Sequence, residues 1–153
     1  MNYWLMKSEP DEFGFDDLAR RPDQTEPWDG VRNYQARNSL RDEMRAGDKV
    51  LFYHSNCAEP GIVGIAEIVG AARPDPTAFD PDDPHYDPKS DPEAPRWFLR
   101  DVRYVRPLKR LIGLRELKQH AEALAGFALI RRGNRLSVMP VSKAHWNYIL
   151  RLE

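Results

Sequence analysis

The chain has 153 residues, a length that fits one domain burying about two-thirds of its unfolded surface, so no disulfide or metal is needed to hold a core. Hydrophobic residues make up 41% and charged residues 31%, which excludes a globally disordered chain; a single cysteine, Cys57, excludes an internal disulfide framework. The net charge of −1 argues against a protein that coats DNA non-specifically through many phosphate contacts. No stretch approaches the ~18 apolar residues of a membrane span, and MNYWLMKSEP lacks the basic-then-apolar order of a signal peptide. One free thiol suits a reducing compartment, so a cytoplasmic domain is expected, and a monomer because no long apolar helix face or exposed strand is left over.

Residues 3–8 open the chain as a short aromatic and aliphatic strand. Phe15–Arg20 is a weak helix candidate. Asn33 suits the N-cap of a helix over 34–44, which Gly47 can end in the left-handed conformation. Residues 49–55 alternate Val50, Phe52 and His54 against Leu51, Tyr53 and Ser55, the period of a strand with two distinct faces. Residues 61–69 form a β-branched run in which Gly64 marks a bulge or a close backbone approach. Residues 73–95 hold seven of the thirteen prolines and read as one long loop. A strand over 97–105, a helix from Leu114 to His120 with an extension toward Leu124, and a strand over 136–141 follow. Ser142 caps a last helix that turns Trp146, Ile149 and Leu152 to the core. These elements predict one α+β domain over 1–153, with short strands curved into a small mixed barrel and helices around it.

Charge is unevenly spread. Residues 75–95 carry seven acids and one lysine, whereas 96–135 carry eleven Lys and Arg against three acids. The basic half can offer a phosphate-facing surface, or its arginines can simply solvate strand and helix faces.

Three polar-aromatic clusters lie at element ends, where sites form: Lys7-Ser8-Glu9-Pro10, Trp28 through Tyr34, and Tyr53 through Cys57. Together with GIVGIAEIV, PRWF and RLSVMPV, the strings WLMKSEP, WDGVRNYQARN and FYHS resemble the EVE domain, in order and over essentially the whole chain. The likeness is to its stand-alone bacterial form, related to the thymocyte nuclear protein family. The resemblance implies a PUA-like fold close to the YTH readers of methylated adenine. It also implies recognition of a modified base, cytosine in DNA first and RNA second, without a cofactor or metal. Carried to matching positions, the base pocket comprises Ser8, Trp28, Asn33, Tyr53, His54 and Ser55.

The chemistry fits that assignment. A base needs aromatic faces, which Trp28 and Tyr53 supply, and edge contacts, which Ser8, Asn33 and Ser55 supply. Lys7, Arg32 and Arg37 are candidates for flanking phosphates, with Arg131, Arg132 and Arg135 as a second basic rim. Each has a plainer reading: Trp28 as a core aromatic, Asn33 as a helix cap, Ser8 as a turn cap. If Trp28 stacks on a base, Trp28→Ala is expected to weaken binding and spare stability.

Other classes remain. Cys57 and His54 lack a third orienting group for nucleophilic catalysis, and a packed, inert thiol is the simpler account. The four histidines and one cysteine have no metal-ligand spacing. A small hydrolase acting on a modified nucleoside or RNA is the alternative to a binding module, and a protein-interaction module docking an acidic partner is the third class. The acidic loop, which would repel phosphate, is expected away from the nucleic-acid path or folded over the basic segment.

Overall fold

The computed structural model describes residues 1–153. Six strands form one mixed sheet: β1 (Tyr3–Ser8), β2 (Thr25–Trp28), β3 (Lys49–His54), β4 (Gly61–Pro74), β5 (Phe98–Gly113) and β6 (Val138–Val141), in the order β2-β5-β4-β3-β1-β6. β1 and β3 run parallel, and the other neighbours are antiparallel. Pairing begins at β2 and ends at β6, so the expected barrel is represented by an ordered, bulged sheet with two terminal strands. Helices α1 (Pro10–Phe13), α2 (Phe15–Arg20), α3 (Tyr34–Asn38), α4 (Leu114–Gln119) and α5 (Lys143–Leu152) lie around it.

Alternation along β1 and β3 divides the core. Trp4, Met6, Val50 and Phe52 face one apolar cluster with Phe15, Leu18, Trp28 and Leu40, under α2 and α3. Leu5, Leu51 and Tyr53 face the other, with Leu117, Trp146 and Ile149 from α4 and α5. The 49–55 alternation is therefore real, but both faces are covered, and no member of the Phe52–Tyr53 pair is left for solvent.

Local chemistry explains the element ends. Asn33 Oδ1 accepts the Ala36 amide at 3.0 Å and starts α3, which continues as a wider π turn over Ser39–Glu43. Arg100, 4% exposed, donates to the carbonyls of Leu40 at 2.6 Å and Met44 at 2.7 Å, where that turn ends, and to Gly70 at 3.1 Å. Its charge sits against the negative end of the helical segment. Gly64 is the predicted close approach: a Cβ there would overlap the Phe15 ring. Ser142 Oγ accepts the His145 amide at 3.1 Å and starts α5, which buries Trp146 and Ile149, with Leu152 partly buried.

Three strands depart from expectation. β4 runs past Val69 to Pro74, so the expected loop begins inside a strand. β5 runs on to Gly113 instead of stopping at 105; Pro107 is tolerated because β2 pairs only as far as Arg103, leaving the rest of that β5 edge open. β2, TEPW, reads as a loop but is a terminal strand, where a missing Pro27 N–H facing outward breaks no ladder.

Candidate functional site

The parallel pairing of β1 with β3 places Ser8 opposite His54, and the Ser55 amide extends it to the Ser8 carbonyl at 3.0 Å. Both chains turn away at this edge, and a cleft of about 950 Å³ opens there. That volume lies within the ~300–1,000 Å³ range of small-ligand sites. Lys7 and Ser8 come from β1, Glu9, Glu12 and Phe13 from the segment entering and forming α1, and Glu26, Pro27 and Trp28 from β2. Asp29, Ser55, Asn56, Arg21, Arg135 and Ser137 complete most of the rim, and His85 comes from the acidic loop.

Phe13 and Trp28 give the cleft its aromatic surface; the remainder is mainly polar or charged. Trp28 is 8% exposed and meets Phe52 edge-on, with ring centroids 5.4 Å apart. One indole thus serves both core and cleft. Trp28→Ala is therefore expected to cost stability as well as binding, because removal of this ring empties core volume.

Of the six pocket residues expected from the sequence, the structure brings Ser8, Trp28 and Ser55 to the cleft. Ser8 Oγ donates to the Phe13 carbonyl at 2.6 Å, leaving its lone pairs to accept. Asn33 lies outside the lining and caps α3. Tyr53 is 3% exposed in the α4–α5 core, where burial pushes its hydroxyl up to about 12. His54 Nε2 accepts the Phe15 amide at 3.1 Å and anchors α2; burial, its largest influence, moves its pKa down. Asn33, Tyr53 and His54 thus serve structure and do not line the cleft.

The six phosphate candidates divide in the same way. Arg32 donates to Asp75 Oδ2 at 3.0 Å, Thr77 Oγ1 at 3.1 Å and the His85 carbonyl at 2.8 Å, so its guanidinium is committed to the loop. Arg37 donates to the Arg96 carbonyl at 2.6 Å and lies over Tyr34, which stacks on Trp97. Lys7 and Arg135 line the cleft, and exposed Arg131 and Arg132 stand in the same segment as Arg135. None of these four has a carboxylate partner among the intrachain ion pairs. Elsewhere in the basic half, Arg103, Arg106 and Arg110 are matched to Glu67, Glu153 and Glu116. Lys109, Arg115 and Lys118 are also exposed and without a carboxylate partner, but of the free cations in that half only Arg135 lines the cleft, with Arg131 and Arg132 beside it in sequence.

The acidic loop neither stays away from the site nor covers the basic half broadly. Trp97 Nε1 donates to Asp87 at 2.7 Å, and Arg96 reaches the same carboxylate at 3.5 Å. Asp75 is fully buried; burial alone would raise its pKa, but hydrogen bonds from Thr77, the Gly30 amide and Arg32 together hold it below the usual carboxylate value. The loop is thereby pinned to the segment after β2, and His85 becomes a wall of the cleft. Sequence periodicity carries no signal for this wall. Trp97, which follows an aspartate-rich loop and donates to it, is its one visible cue.

Comparison with known proteins sets this geometry in context. The EVE domain model matches residues 2–152. Mouse thymocyte nuclear protein 1 is 48% identical over 168 residues, covering 99% of this chain and 74% of that protein. The crystal structure of human THYN1 protein in complex with 5-methylcytosine-containing DNA superposes with a TM-score of 0.95 at 44% identity, covering 99% of this chain and 97% of that one. A yeast YTH domain from Zygosaccharomyces rouxii, 16% identical with a TM-score of 0.55 over 99% of this chain and 83% of that one, shares the fold alone. Matched along nearly its whole length by the family model and by these close relatives, the chain belongs to the EVE domain family.

Proposed function

We propose that the cleft receives a modified nucleobase, a modified cytosine in DNA foremost and one in RNA second. The observation that carries this reading is the full-length likeness to a human protein whose structure holds 5-methylcytosine DNA. The cleft supports it physically: aromatic surface from Phe13 and Trp28, edge-binding groups from Ser8, Ser55 and Ser137, and cations at Lys7 and Arg135. Stacking on an aromatic face contributes about 1–3 kcal/mol per base, and the cations steer the phosphates beside it. In this reading the curved sheet is a PUA-like barrel, and the domain binds without turnover. Equilibrium titration with matched oligonucleotides carrying cytosine or 5-methylcytosine, in DNA and in RNA at one salt concentration, is the test. A modification-dependent affinity is expected, and equal binding of all four would refute base reading.

A second reading has one observation in its favour. Glu26 and Asp29 both line the cleft with carboxyl pKa values raised, in each case chiefly by burial, as is common for catalytic acids. Hydrolysis of a modified nucleoside would appear as a new chromatographic product after incubation with a nucleoside panel; unchanged substrates would remove this alternative.

A further inference from the structure

Four carboxylates line the cleft: Glu9, Glu12, Glu26 and Asp29. Glu9 accepts the Asn56 amide nitrogen at 2.5 Å, and Glu26 is paired with Arg21 at 2.5 Å. Glu12 stands on the exposed first turn of α1. Asp29 is exposed, as Glu12 is, and its place in the cleft sets it apart. It directly follows Trp28, and no donor of this chain satisfies its carboxylate in the free protein.

The backbone that carries Asp29 is fixed. Its own amide donates to the Pro27 carbonyl at 3.0 Å, and the next amide, Gly30, donates to Asp75 at 2.8 Å. The same cleft is lined by donors without carboxylate partners, the Lys7 ammonium and the Arg135 guanidinium, together with the Ser55 and Ser137 hydroxyls. An acceptor and several donors in one cleft make a polar pattern, and base edges differ in just such patterns.

We infer that Asp29 accepts the exocyclic amine of the bound base, so the cleft selects an amino pyrimidine over its keto counterpart. The inference rests on the base-reading function proposed above and adds the edge that is read. Cytosine presents an amine beside the acceptors N3 and O2, which match Asp29 and the donors of the cleft. Thymine presents a carbonyl oxygen and an N3–H at the same places, setting oxygen against carboxylate and leaving a donor facing donors. A site built around a hydrogen bond rejects the isostere that lacks it, because the partner covered by the bound base is then left unsatisfied. Burial and the neighbouring Asp75 and Asp83 carboxylates raise the Asp29 pKa, so its anion gains from a donor that arrives with the ligand.

5-Methylcytosine and thymine carry the same methyl group and differ only along this edge, which makes them the decisive pair. Fluorescence anisotropy would measure binding of the full chain to labelled single-stranded DNA with 5-methylcytosine, cytosine or thymine at one central position. Wild type is expected to prefer 5-methylcytosine over thymine by about tenfold or more, the size of a good base-edge contact. Asp29→Asn, whose amide can donate as well as accept, is expected to bring the ratio within about threefold by improving thymine binding. Asp29→Ala provides a second variant that also loses the ratio, by weakening 5-methylcytosine, and circular dichroism confirms that each variant is folded. An unchanged ratio in folded variants overturns the role of Asp29 and leaves base reading intact. Equal wild-type binding of 5-methylcytosine and thymine, with cytosine weaker, overturns edge selection while retaining methyl recognition. Equal binding of all three oligonucleotides overturns both.

Discussion

His85 packs on the bare backbone of Gly30, where a Cβ would come within 2.7 Å of the imidazole. Residues far apart in sequence thus form one wall of the cleft, and Gly30 holds φ at 76°, a conformation disfavoured for other residues. Gly30→Ala is expected to cost about 1–2 kcal/mol from the backbone alone, and more from displacement of His85. Denaturant unfolding measures the stability loss, and weaker base-dependent binding would accompany it.

Trp28 couples stability to recognition. Trp28→Ala is expected to destabilise the domain by about 3–5 kcal/mol, because its ring fills core space against Phe52. Trp28→Phe keeps an aromatic face and should lose far less stability while still weakening binding. Thermal melts beside binding isotherms separate the two effects; a fully stable Trp28→Ala protein would contradict the packing of this ring in the core.

Salt dependence distinguishes the two classes of arginine. Removing one cation that binds a phosphate lowers the slope of log affinity against log salt by about 1. Combined alanine substitution of Arg131, Arg132 and Arg135 is expected to flatten that slope and leave the melting temperature near wild type. Arg32→Ala should lower the melting temperature instead, because Arg32 ties the loop through Asp75, Thr77 and His85. A steep salt slope retained in the triple variant would remove this rim from the phosphate path.

Acid stability reports a different tie. Arg106 beside Glu153, opposed by burial and helped by the Lys109 amide, brings the Glu153 carboxyl from its ordinary 4.5 down to about 2. A folded-state pKa below the unfolded one adds stability that is full above about 4.5 and is lost as pH falls toward 2. The melting temperature of wild type should therefore fall more steeply between about pH 5 and 3 than that of Glu153→Gln. Parallel curves would mean that the pair contributes nothing to acid sensitivity.

Legibility in the sequence followed the range of the forces involved. Alternation in 49–55 and the caps Asn33 and Ser142 are local effects, and each reads directly from neighbouring residues. β2 was hidden because Pro27 suggests a loop, and only its terminal place in the sheet makes a strand there harmless. Half of the candidate pocket was misplaced for a similar reason. Alternation puts Phe52 and Tyr53 on opposite faces but does not reveal that both faces are covered. His54 and Asn33 are polar at element ends, which suits a site, yet each is used to hold a helix start. Phe13 and His85 meet Trp28 only through long-range packing, whereas Asp29 simply follows it in the chain. Arg32 and Arg37 look like free cations until the acidic loop folds onto them.

Docking of a modified base against Trp28 would be read at the indole of that residue. Trp4 has its indole N–H bound to Asp48 within the core, and Trp146 lies in the opposite core beside Tyr3. Two-dimensional proton–nitrogen NMR of the tryptophan indoles, with Trp28 assigned by Trp28→Phe, reads the site directly. Addition of 5-methylcytosine DNA should shift the Trp28 indole saturably and leave Trp4 and Trp146 in place, with a smaller response to matched unmodified DNA. A stationary Trp28 signal at saturating DNA, or identical shifts with both DNAs, would contradict the account.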